Sequence, residues 1–188
     1  MGKSDKKSIY LSYLLRHHPE DVNVKMDIHG WVLVEELLEG INAGGKYKMD
    51  FTELEMIVSQ DTKGRYRFDK EKEKIKACQG HSIPWVEPEL EYNEPPEFLY
   101  HGTNTEALEK ILKSGAILKM NRHAVHMQED FKQAWKSAVR WKKVPVVLKI
   151  SARELSKEGV AFGVSENQVW CAGEIPKQYI VEQIYRLE

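Results

Sequence analysis

The sequence predicts an α+β protein of two lobes. Helix-forming segments and a short hairpin occupy residues 1–90, and short strands alternate with short helices over residues 98–188. No long series of parallel strand–helix–strand units occurs, and no glycine-rich nucleotide-binding loop, which argues against a doubly wound parallel sheet. A chain of 188 residues, 41% hydrophobic and 30% charged, is long enough to bury a sizeable core.

The first helix is predicted to begin at Ser4 or Ser8 and to end before Pro19, which cannot continue a helix. Its apolar residues are expected to face the core: Ile9, Leu11, Leu14 and Leu15. Residues 16–18, Arg-His-His, then fall in the last turn. Complementarity with the helix dipole explains one cation there better than three in succession.

Two further helices and a hairpin follow. A turn at residues 27–30 leads into the second helix, and Thr52 with Glu55 has the capping-box pattern that opens the third. The hairpin is expected to pair residues 65–69 with residues 74–78. Three helices followed by a two-stranded wing form a winged-helix arrangement, which we predict for residues 1–90.

The second lobe is expected to begin after a linker at residues 91–97, which contains two consecutive prolines. Residues 98–103 are predicted to form a short buried strand that opens into a turn at Gly102, where bare backbone N–H groups can meet a phosphate or ribose. Residues 103–105 supply N-cap oxygens for the next helix, and Gly115 ends that helix.

The rest of the second lobe is predicted to contain one longer helix over residues 129–141 and a second capping-box pattern at Ser151 and Glu154. Residues 121–128 are expected to be irregular. The predicted strands are residues 116–118, 145–150, 160–162, 168–171, 179–181 and 184–185.

Composition narrows the function classes. No apolar run approaches the roughly 18 residues of a membrane span, and the first five residues do not resemble a signal peptide. Cys78 and Cys171 lack metal-ligand spacing and are expected to be thiols in a reducing cytoplasm. Residues 1–95 hold 14 Lys and Arg against 18 Asp and Glu, and residues 96–188 hold 14 against 11. Neither half is strongly basic, so a few placed arginines would have to handle a polyanion. We expect a cytoplasmic monomer without a membrane segment.

Two clusters of arginine and histidine are candidates for chemistry. They lie at residues 16–17 and 122–126, and Arg65 with Arg67 on the hairpin forms a third, weaker one. Arginine matches phosphate oxygens with paired donors, and histidine exchanges protons near neutral pH. Such a site suits substitution at a phosphate ester. No sequence motif for a metal site or a serine nucleophile is present.

Seven short motifs then occur in a fixed order. They are residues 14–17 (Leu-Leu-Arg-His), 27–31 (Asp-x-x-Gly-Trp), 63–66 (Lys-Gly-Arg-Tyr), 79–82 (Gln-Gly-His-Ser), 100–103 (Tyr-His-Gly-Thr), 122–126 (Arg-x-x-Val-His) and 165–170 (Ser-x-Asn-x-Val-Trp). Together they resemble the RNA 2′-phosphotransferase family, also called tRNA 2′-phosphotransferases, over roughly residues 9–180. Any one motif is weak, but seven in register are specific.

The resemblance implies an N-terminal winged-helix RNA lobe and a C-terminal ADP-ribosyltransferase-like lobe that binds NAD+ as co-substrate, without a metal. It implies that an internal RNA 2′-phosphate, such as one left by tRNA splicing or RNA repair, attacks the nicotinamide ribose of NAD+ and expels nicotinamide. The neighbouring ribose 2″-OH then attacks the phosphorus of this ADP-ribosylated intermediate. The products are RNA with a 2′-OH and ADP-ribose 1″,2″-cyclic phosphate.

The resemblance also assigns residues. The expected catalytic set is Arg16, His17, Arg65 and Arg122. The expected NAD+ contacts are His101, Gly102, Thr103, Gly115, His126, Asn167, Val169 and Trp170. The expected RNA or phosphate contacts are His18, Arg67, His81, Ser82 and His123.

Two positions need comment. Arg65 is preferred to Arg67 as the third catalytic residue because it follows Lys63-Gly64, although alternate strand residues point the same way and Arg67 could share the phosphate. Val169 stands where many ADP-ribosyltransferases have an acceptor-activating glutamate. An anionic phosphate nucleophile does not require that base.

Two alternative functions remain open from the sequence. One is an ADP-ribosyltransferase that caps terminal phosphates of nucleic acids and stops at that stage. The other is a non-catalytic winged-helix RNA-binding protein with a degenerate second lobe.

Overall fold

The computed structural model describes residues 3–186, with side chains from residue 6 onward. The described residues divide after Glu89 into two compact units, which we call the N-terminal unit and the C-terminal unit. Both combine helices with antiparallel sheets, so the α+β prediction is confirmed. The winged-helix and ADP-ribosyltransferase-like assignments stay predictions.

The N-terminal unit contains three helices and one three-stranded sheet. The helices are α1 (Lys3–Arg16), α2 (Val34–Ala43) and α3 (Phe51–Ser59), with a short 3-10 helix at Pro19–Val22. The strands are β1 (Val32–Leu33), β2 (Tyr66–Phe68) and β3 (Lys74–Ala77). The sheet has the antiparallel order β1-β3-β2, in which β2 and β3 are the predicted hairpin and β1 adds a third strand.

The first helix shows why one core prediction was wrong. Leu11, Leu14 and Leu15 are fully buried, as expected, but the Ile9 side chain is 52% exposed. Ile9 precedes Leu11 by two residues, which is about 200° around a helix, so it lies on the opposite face. The capping box predicted at Thr52 is also wrong. The carboxylate of Asp50 accepts a 2.8 Å hydrogen bond from the N–H of Glu53, so α3 begins before Thr52.

The C-terminal unit contains three helices and three small antiparallel sheets. The helices are α4 (Thr105–Ser114), α5 (Phe131–Val139) and α6 (Ala152–Lys157), with a 3-10 helix at Lys177–Tyr179. The strands are β4 (Glu91–Tyr92), β5 (Phe98–Asn104), β6 (Ala116–Ile117), β7 (Val125–Met127), β8 (Pro145–Ser151), β9 (Gly163–Val164), β10 (Trp170–Ala172), β11 (Ile175–Pro176) and β12 (Ile180–Ile184). The sheet orders are β4-β9-β10-β7, β12-β8-β5 and β11-β6.

Strand β5 differs from the prediction at Gly102. The strand does not open into a turn there but continues to Asn104, and Gly102 pairs with Val147 of β8. Pairing with β8 keeps residues 102–104 extended, and the packing of α5 explains why residue 102 is a glycine. A Cβ atom on Gly102 would overlap the carbonyl oxygen of Ala134 and lie 3.0 Å from the Ala138 amide nitrogen. Glycine at this position lets a helix backbone approach the sheet closely. The helix after β5 is capped by the Asn104 side chain, as predicted.

Three other boundaries in this unit correct the sequence prediction. The segment 91–97 is not wholly a linker, because exposed residues Glu91–Tyr92 form β4 against β9. Residues 121–128 are not wholly irregular, because Val125–Met127 form β7 against β10. The two strands predicted at 179–185 are the single strand β12, with an irregularity after Ile180. β4 and β7 are short strands defined by their partners, and two or three residues carry little periodicity of their own.

None of the helices between residues 3 and 186 is both long enough and apolar enough to cross a lipid bilayer.

The packing of α5 on Gly102 predicts the effect of a Gly102→Ala substitution. The obstructing atoms belong to the helix backbone and cannot rotate away, so the free energy of unfolding should fall by about 3 kcal/mol. Urea unfolding followed by circular dichroism measures this. A Gly173→Ala variant is the matched control, because a Cβ there meets no atom within 4 Å. Equal stabilities of the two variants would contradict the proposed packing constraint.

Candidate active site

The end of α1 is hydrogen-bonded to the segment that follows β3. The N–H of Ser82 donates a 3.0 Å hydrogen bond to the carbonyl of Arg16, the last residue of α1. The Nδ1 atom of His17 lies 2.8 Å from Ser82 Oγ. Two motifs that are far apart in the sequence, residues 14–17 and 79–82, therefore meet in one place.

The sequence predicted that His17 and His18 lie in the last turn of α1. In the structure they lie just beyond its end. The helical hydrogen-bond pattern persists to His17, whose N–H donates to the carbonyl of Tyr13 at 3.0 Å. His18 then adopts φ −141° and ψ 58°. A residue that precedes proline is disfavoured in the α region, so Pro19 turns the chain one residue earlier than expected. The exposed His18 ring contacts the Glu20 carboxylate at 3.0 Å.

The Arg16 guanidinium lies against the backbone of Gly80. A Cβ atom on Gly80 would stand 3.6 Å from both Cζ and Nε of Arg16. Gly80 has φ +87°, a conformation that L-residues rarely adopt. The Nε and Nη2 atoms of Arg16 are shielded from solvent. This contact limits the orientations available to the arginine fork.

His81 is oriented into the protein, unlike its neighbour Ser82. Its side chain is 1% exposed, and a Cβ atom on Gly30 would stand 2.8 Å from its Nε2. Gly30, at φ +83°, belongs to the predicted turn at residues 27–30. His81 thus joins two of the sequence motifs by packing, and its buried ring offers almost no surface to an RNA ligand.

Arg65 is held by a carboxylate that the sequence reasoning did not identify. Its Nε and Nη2 atoms lie 2.9 Å and 2.8 Å from Asp61 Oδ1, and its backbone N–H also donates to the Asp61 carboxylate. Nη2 lies 3.3 Å from Ser8 Oγ on α1. The Asp61 side chain is only 2% exposed. Asp61 and Arg65 lie in the turn before β2 and not on a helix, so their spacing of four residues was no signal of a charge pair in the sequence.

The charge state of Arg65 follows from that contact. Partial burial lowers its pKa. The hydrogen bond that Arg65 donates to Asp61, together with the charges of Tyr66 and Asp61, outweighs burial, and the net shift of the pKa is upward. Arg65 is therefore a permanent cation in a fixed position.

The geometry separates Arg65 from Arg67. The carbonyl of Arg65 accepts a 2.9 Å hydrogen bond from Cys78 N–H, two residues before the Gly80 that contacts Arg16. The guanidinium of Arg67 instead lies over the Trp31 ring, with Cζ 5.3 Å from the ring centroid. The two side chains therefore have different partners. The backbone of Arg67 pairs with Lys76 within β3, whereas that of Arg65 meets Cys78, just after β3 and closer to Gly80.

In the C-terminal unit, His101 is the centre of a second cluster. Its Nδ1 lies 2.9 Å from the carbonyl oxygen of His126. A carbonyl can only accept, so Nδ1 carries the proton, and Nε2 of the neutral ring is an acceptor. Burial lowers the pKa of His101, the hydrogen bond to His126 opposes this, and the charge of Arg122 lowers the pKa further. His101 is therefore neutral at pH 7.

The remaining predicted NAD+ contacts fall into three environments. Thr103, Val169 and Trp170 are buried, and Trp170 belongs to the hydrophobic core of this unit. Gly115 is the C-cap of α4 with φ +85°, as predicted, and its carbonyl accepts the Lys177 N–H. Asn167 lies in a tight turn.

That turn is organised by Ser165, a buried residue to which the sequence reasoning gave no role. The Oγ of Ser165 donates to Asn167 Oδ1 at 2.8 Å, and its N–H donates to the carbonyl of Val169 at 2.9 Å.

Arg122 precedes β7 in an exposed turn, in which its N–H donates to the carbonyl of Lys119 at 3.1 Å. His123 follows it, half-buried, before β7 begins at Val125. Desolvation lowers the pKa of the Arg122 guanidinium, which stays protonated at neutral pH because arginine titrates far above it. The predicted site residues thus form two clusters. Arg16, His17 and Ser82 lie together in the N-terminal unit, and His101, His126 and Arg122 lie together in the C-terminal unit.

The buried Asp61–Arg65 pair predicts the effect of Asp61→Asn. Losing the carboxylate charge leaves Arg65 and its backbone N–H with weaker acceptors, so the free energy of unfolding should fall by about 1–3 kcal/mol. Chemical denaturation measures this. The control is Glu55→Gln, which removes an exposed ion pair with Lys72 and should change stability by less than about 1 kcal/mol. If the Asp61 variant is no less stable than this control, Asp61 does not anchor Arg65.

The environment of His101 predicts its titration. Its midpoint, followed by NMR of the ring protons, should lie below the ordinary pKa of 6.5, and Arg122→Gln should raise it. The unfolded chain then binds the proton more readily, so His101 contributes stability that is present above pH 6.5 and is lost as the pH falls towards the folded-state pKa. Arg153→Gln, which removes an exposed arginine near Glu94, should leave the midpoint unchanged. A midpoint at or above 6.5 would refute the buried, cation-facing environment.

Comparison with known proteins supplies the family. The profile of the RNA 2′-phosphotransferase, Tpt1 / KptA family matches residues 3–173. A protein of Fusobacterium nucleatum named probable RNA 2′-phosphotransferase is 41% identical over 180 residues, which cover 96% of this chain and 99% of the relative. Relatives with the same name from Flavobacterium johnsoniae (40% identity, 96% of this chain and 98% of the relative) and Burkholderia pseudomallei (39%, 93% of each) are similar over comparable lengths. The chain belongs to the RNA 2′-phosphotransferase, Tpt1 / KptA family.

Proposed function

We propose that this protein removes an internal 2′-phosphate from RNA by transferring it to NAD+. The proposal rests on one observation: Arg16 and His17 are both hydrogen-bonded to Ser82. The chain that carries this arrangement belongs to the RNA 2′-phosphotransferase family. The products are RNA with a 2′-OH, nicotinamide and ADP-ribose 1″,2″-cyclic phosphate. The proposed intermediate is RNA whose 2′-phosphate is joined to ADP-ribose.

In the first step one bond forms and one bond breaks. An oxygen of the RNA 2′-phosphate bonds to C1″ of the nicotinamide ribose, and the C1″–N bond breaks with its electron pair leaving on nicotinamide. The phosphate is already an anion, so no general base is required, which agrees with Val169 at the position of the usual glutamate. His101 supports this step as a neutral ring whose Nε2 can accept a hydrogen bond from a ribose hydroxyl.

The second step needs charge stabilisation and proton transfer. The ribose 2″-oxygen bonds to phosphorus and gives up its proton. The bond between phosphorus and the RNA 2′-oxygen breaks, and that oxygen takes up a proton. We assign stabilisation of the phosphoryl oxygens to Arg16, Arg65 and Arg122, because fixed guanidinium donors match that charge. We assign the proton transfer to His17. Ser82, 2.8 Å from His17 Nδ1, orients the ring so that Nε2 is the working nitrogen.

The arginines also replace the metal ions that many phosphoryl-transfer enzymes use as positive charge. The proposal therefore includes a reaction that proceeds in EDTA. In this scheme the N-terminal unit contributes RNA recognition by a winged-helix arrangement, and the C-terminal unit contributes an ADP-ribosyltransferase-like NAD+ site.

The division of roles predicts that His17→Ala stalls between the two steps. Single-turnover reactions with a 2′-phosphorylated oligoribonucleotide, NAD+ and EDTA, resolved on a gel, separate substrate, intermediate and product. The wild type should form product only when NAD+ is present. His17→Ala should release nicotinamide and accumulate ADP-ribosylated RNA, because only the second step needs its proton transfer. Ser82→Ala should show a smaller defect of the same kind.

Lys72→Gln is the control, because Lys72 is an exposed cation of the same unit outside the proposed machinery. It should react like the wild type. A wild type that needs a divalent cation would refute the metal-free scheme, and one that stops at ADP-ribosylated RNA would identify the protein as a capping ADP-ribosyltransferase. Slow turnover of His17→Ala without any intermediate would refute the role given to His17.

A further inference from the structure

Arg140, which belongs to none of the sequence motifs, ends the helix that packs on β5. It is the C-cap of α5, two residues after Ala138, whose amide nitrogen would stand 3.0 Å from a Cβ on Gly102. The turn after it returns directly to the sheet. The carbonyl of Val144 accepts a 3.1 Å hydrogen bond from Thr105 N–H, and Pro145 pairs with Asn104, the last residue of β5.

Arg122 approaches the same end of β5 from a different segment. Tyr100 and Gln128 form an antiparallel bridge, and His101 contacts the carbonyl of His126. In an antiparallel arrangement, the chain traced back from Gln128 runs towards the carboxyl end of β5. The turn that holds Arg122 and the turn that follows Arg140 therefore converge at one end of this strand.

The electrostatics agree with that convergence. Desolvation lowers the pKa of Arg140, and the charge of Arg122 lowers it further. Within the described residues, neither guanidinium forms an ion pair with a carboxylate, whereas Arg65 and Arg153 both face one. The dipole of α5 favours a cation at its C-terminus, which accounts for Arg140 alone. It does not account for a second arginine beside it, since two like charges close to each other repel.

The Arg140 guanidinium is also held in place. Its Cζ lies 5.1 Å from the centroid of the Trp141 ring, which is 53% exposed. Stacking on an aromatic face restricts the plane of a guanidinium and leaves the N–H donors at its edge available. A positioned arginine next to a second arginine is an arrangement that binds a phosphate group with several charge-assisted hydrogen bonds.

We propose that Arg122 and Arg140 together bind one phosphate group of a substrate. This inference rests on the proposed function for the identity of its ligand, which is either a phosphate of the RNA or the pyrophosphate of NAD+. Both sources present the same chemistry, a tetrahedral phosphoryl anion with at least two oxygens that accept hydrogen bonds. Arg140 is thus a phosphate-binding residue that the family motifs did not identify.

The test measures binding and not turnover. Isothermal titration calorimetry gives dissociation constants of four probes: inorganic pyrophosphate, NAD+, a 2′-phosphorylated oligoribonucleotide and its 2′-OH counterpart. The proteins are the wild type, Arg140→Ala, Arg140→Lys and the control Arg153→Ala, which removes an exposed arginine of the same unit. Thermal unfolding of each variant confirms that it is folded, and Arg140→Lys keeps the charge if the alanine variant fails to fold.

Arg140→Ala should weaken the binding of pyrophosphate and of one substrate about 10-fold or more, because it removes charge-assisted hydrogen bonds. Arg140→Lys should recover part of the affinity, since lysine keeps the charge but loses the fork. If only the affinity for NAD+ falls, the two arginines bind the pyrophosphate of NAD+. If only the affinity for the 2′-phosphorylated RNA falls, they bind the 2′-phosphate. If the affinities for both RNAs fall equally, they bind the RNA backbone.

Affinities of Arg140→Ala that match those of Arg153→Ala for every probe would overturn the inference. The test of this phosphate site can be told apart from the test of the proposed function. Suppose that the wild type binds pyrophosphate, that Arg140→Ala does not, and that the wild type makes no product from 2′-phosphorylated RNA. This result would support phosphate binding by Arg122 and Arg140 and would refute the proposed reaction.

Discussion

The hydrogen bonds between Ser82 and the end of α1 are the constraint on which the candidate site of the N-terminal unit depends. One bond satisfies the carbonyl of Arg16, which the helix itself leaves without an intrahelical donor, and the other contact orients the His17 ring. Gly80, which adopts a positive φ, lies against the Arg16 guanidinium. Buried Asp61 anchors Arg65 to the loop that leads into the same hairpin. Two arginines and a histidine are therefore positioned by backbone contacts and a buried carboxylate, as a pre-organised phosphate site requires.

The C-terminal unit uses close packing for a comparable purpose. Gly102 lets α5 approach β5, and this contact places the end of α5 beside the end of the strand that holds His101. Burial and the nearby Arg122 charge keep the His101 ring neutral, so it can accept a hydrogen bond where a charged ring could only donate. The same packing brings Arg140 towards Arg122. The close approach of α5 at Gly102 thus positions side chains several residues away.

The sequence was sufficient for features that depend on local chemistry. The hairpin, the Asn104 cap and the Gly115 helix end were predicted because each depends on residue type at a fixed spacing. Features that depend on a contact with a segment far away in the sequence could not be predicted from local residue types. The continuation of β5 through Gly102 depends on pairing with β8, which begins about forty residues later, and β4 exists only because β9 offers it an edge. The arginines could be singled out by type and motif, but which of them had a carboxylate partner depended on the fold.

The most direct test of the account follows the phosphorus atom. RNA that carries a radiolabel in a single internal 2′-phosphate is incubated with the wild-type protein, NAD+ and EDTA, and the labelled species are separated by thin-layer chromatography. If the phosphate is transferred to NAD+, the label leaves the RNA and appears in a compound that also contains ADP-ribose and resists phosphatase, as a cyclic phosphodiester does. Release of the label as inorganic phosphate, or its retention on the RNA, would contradict transfer to NAD+.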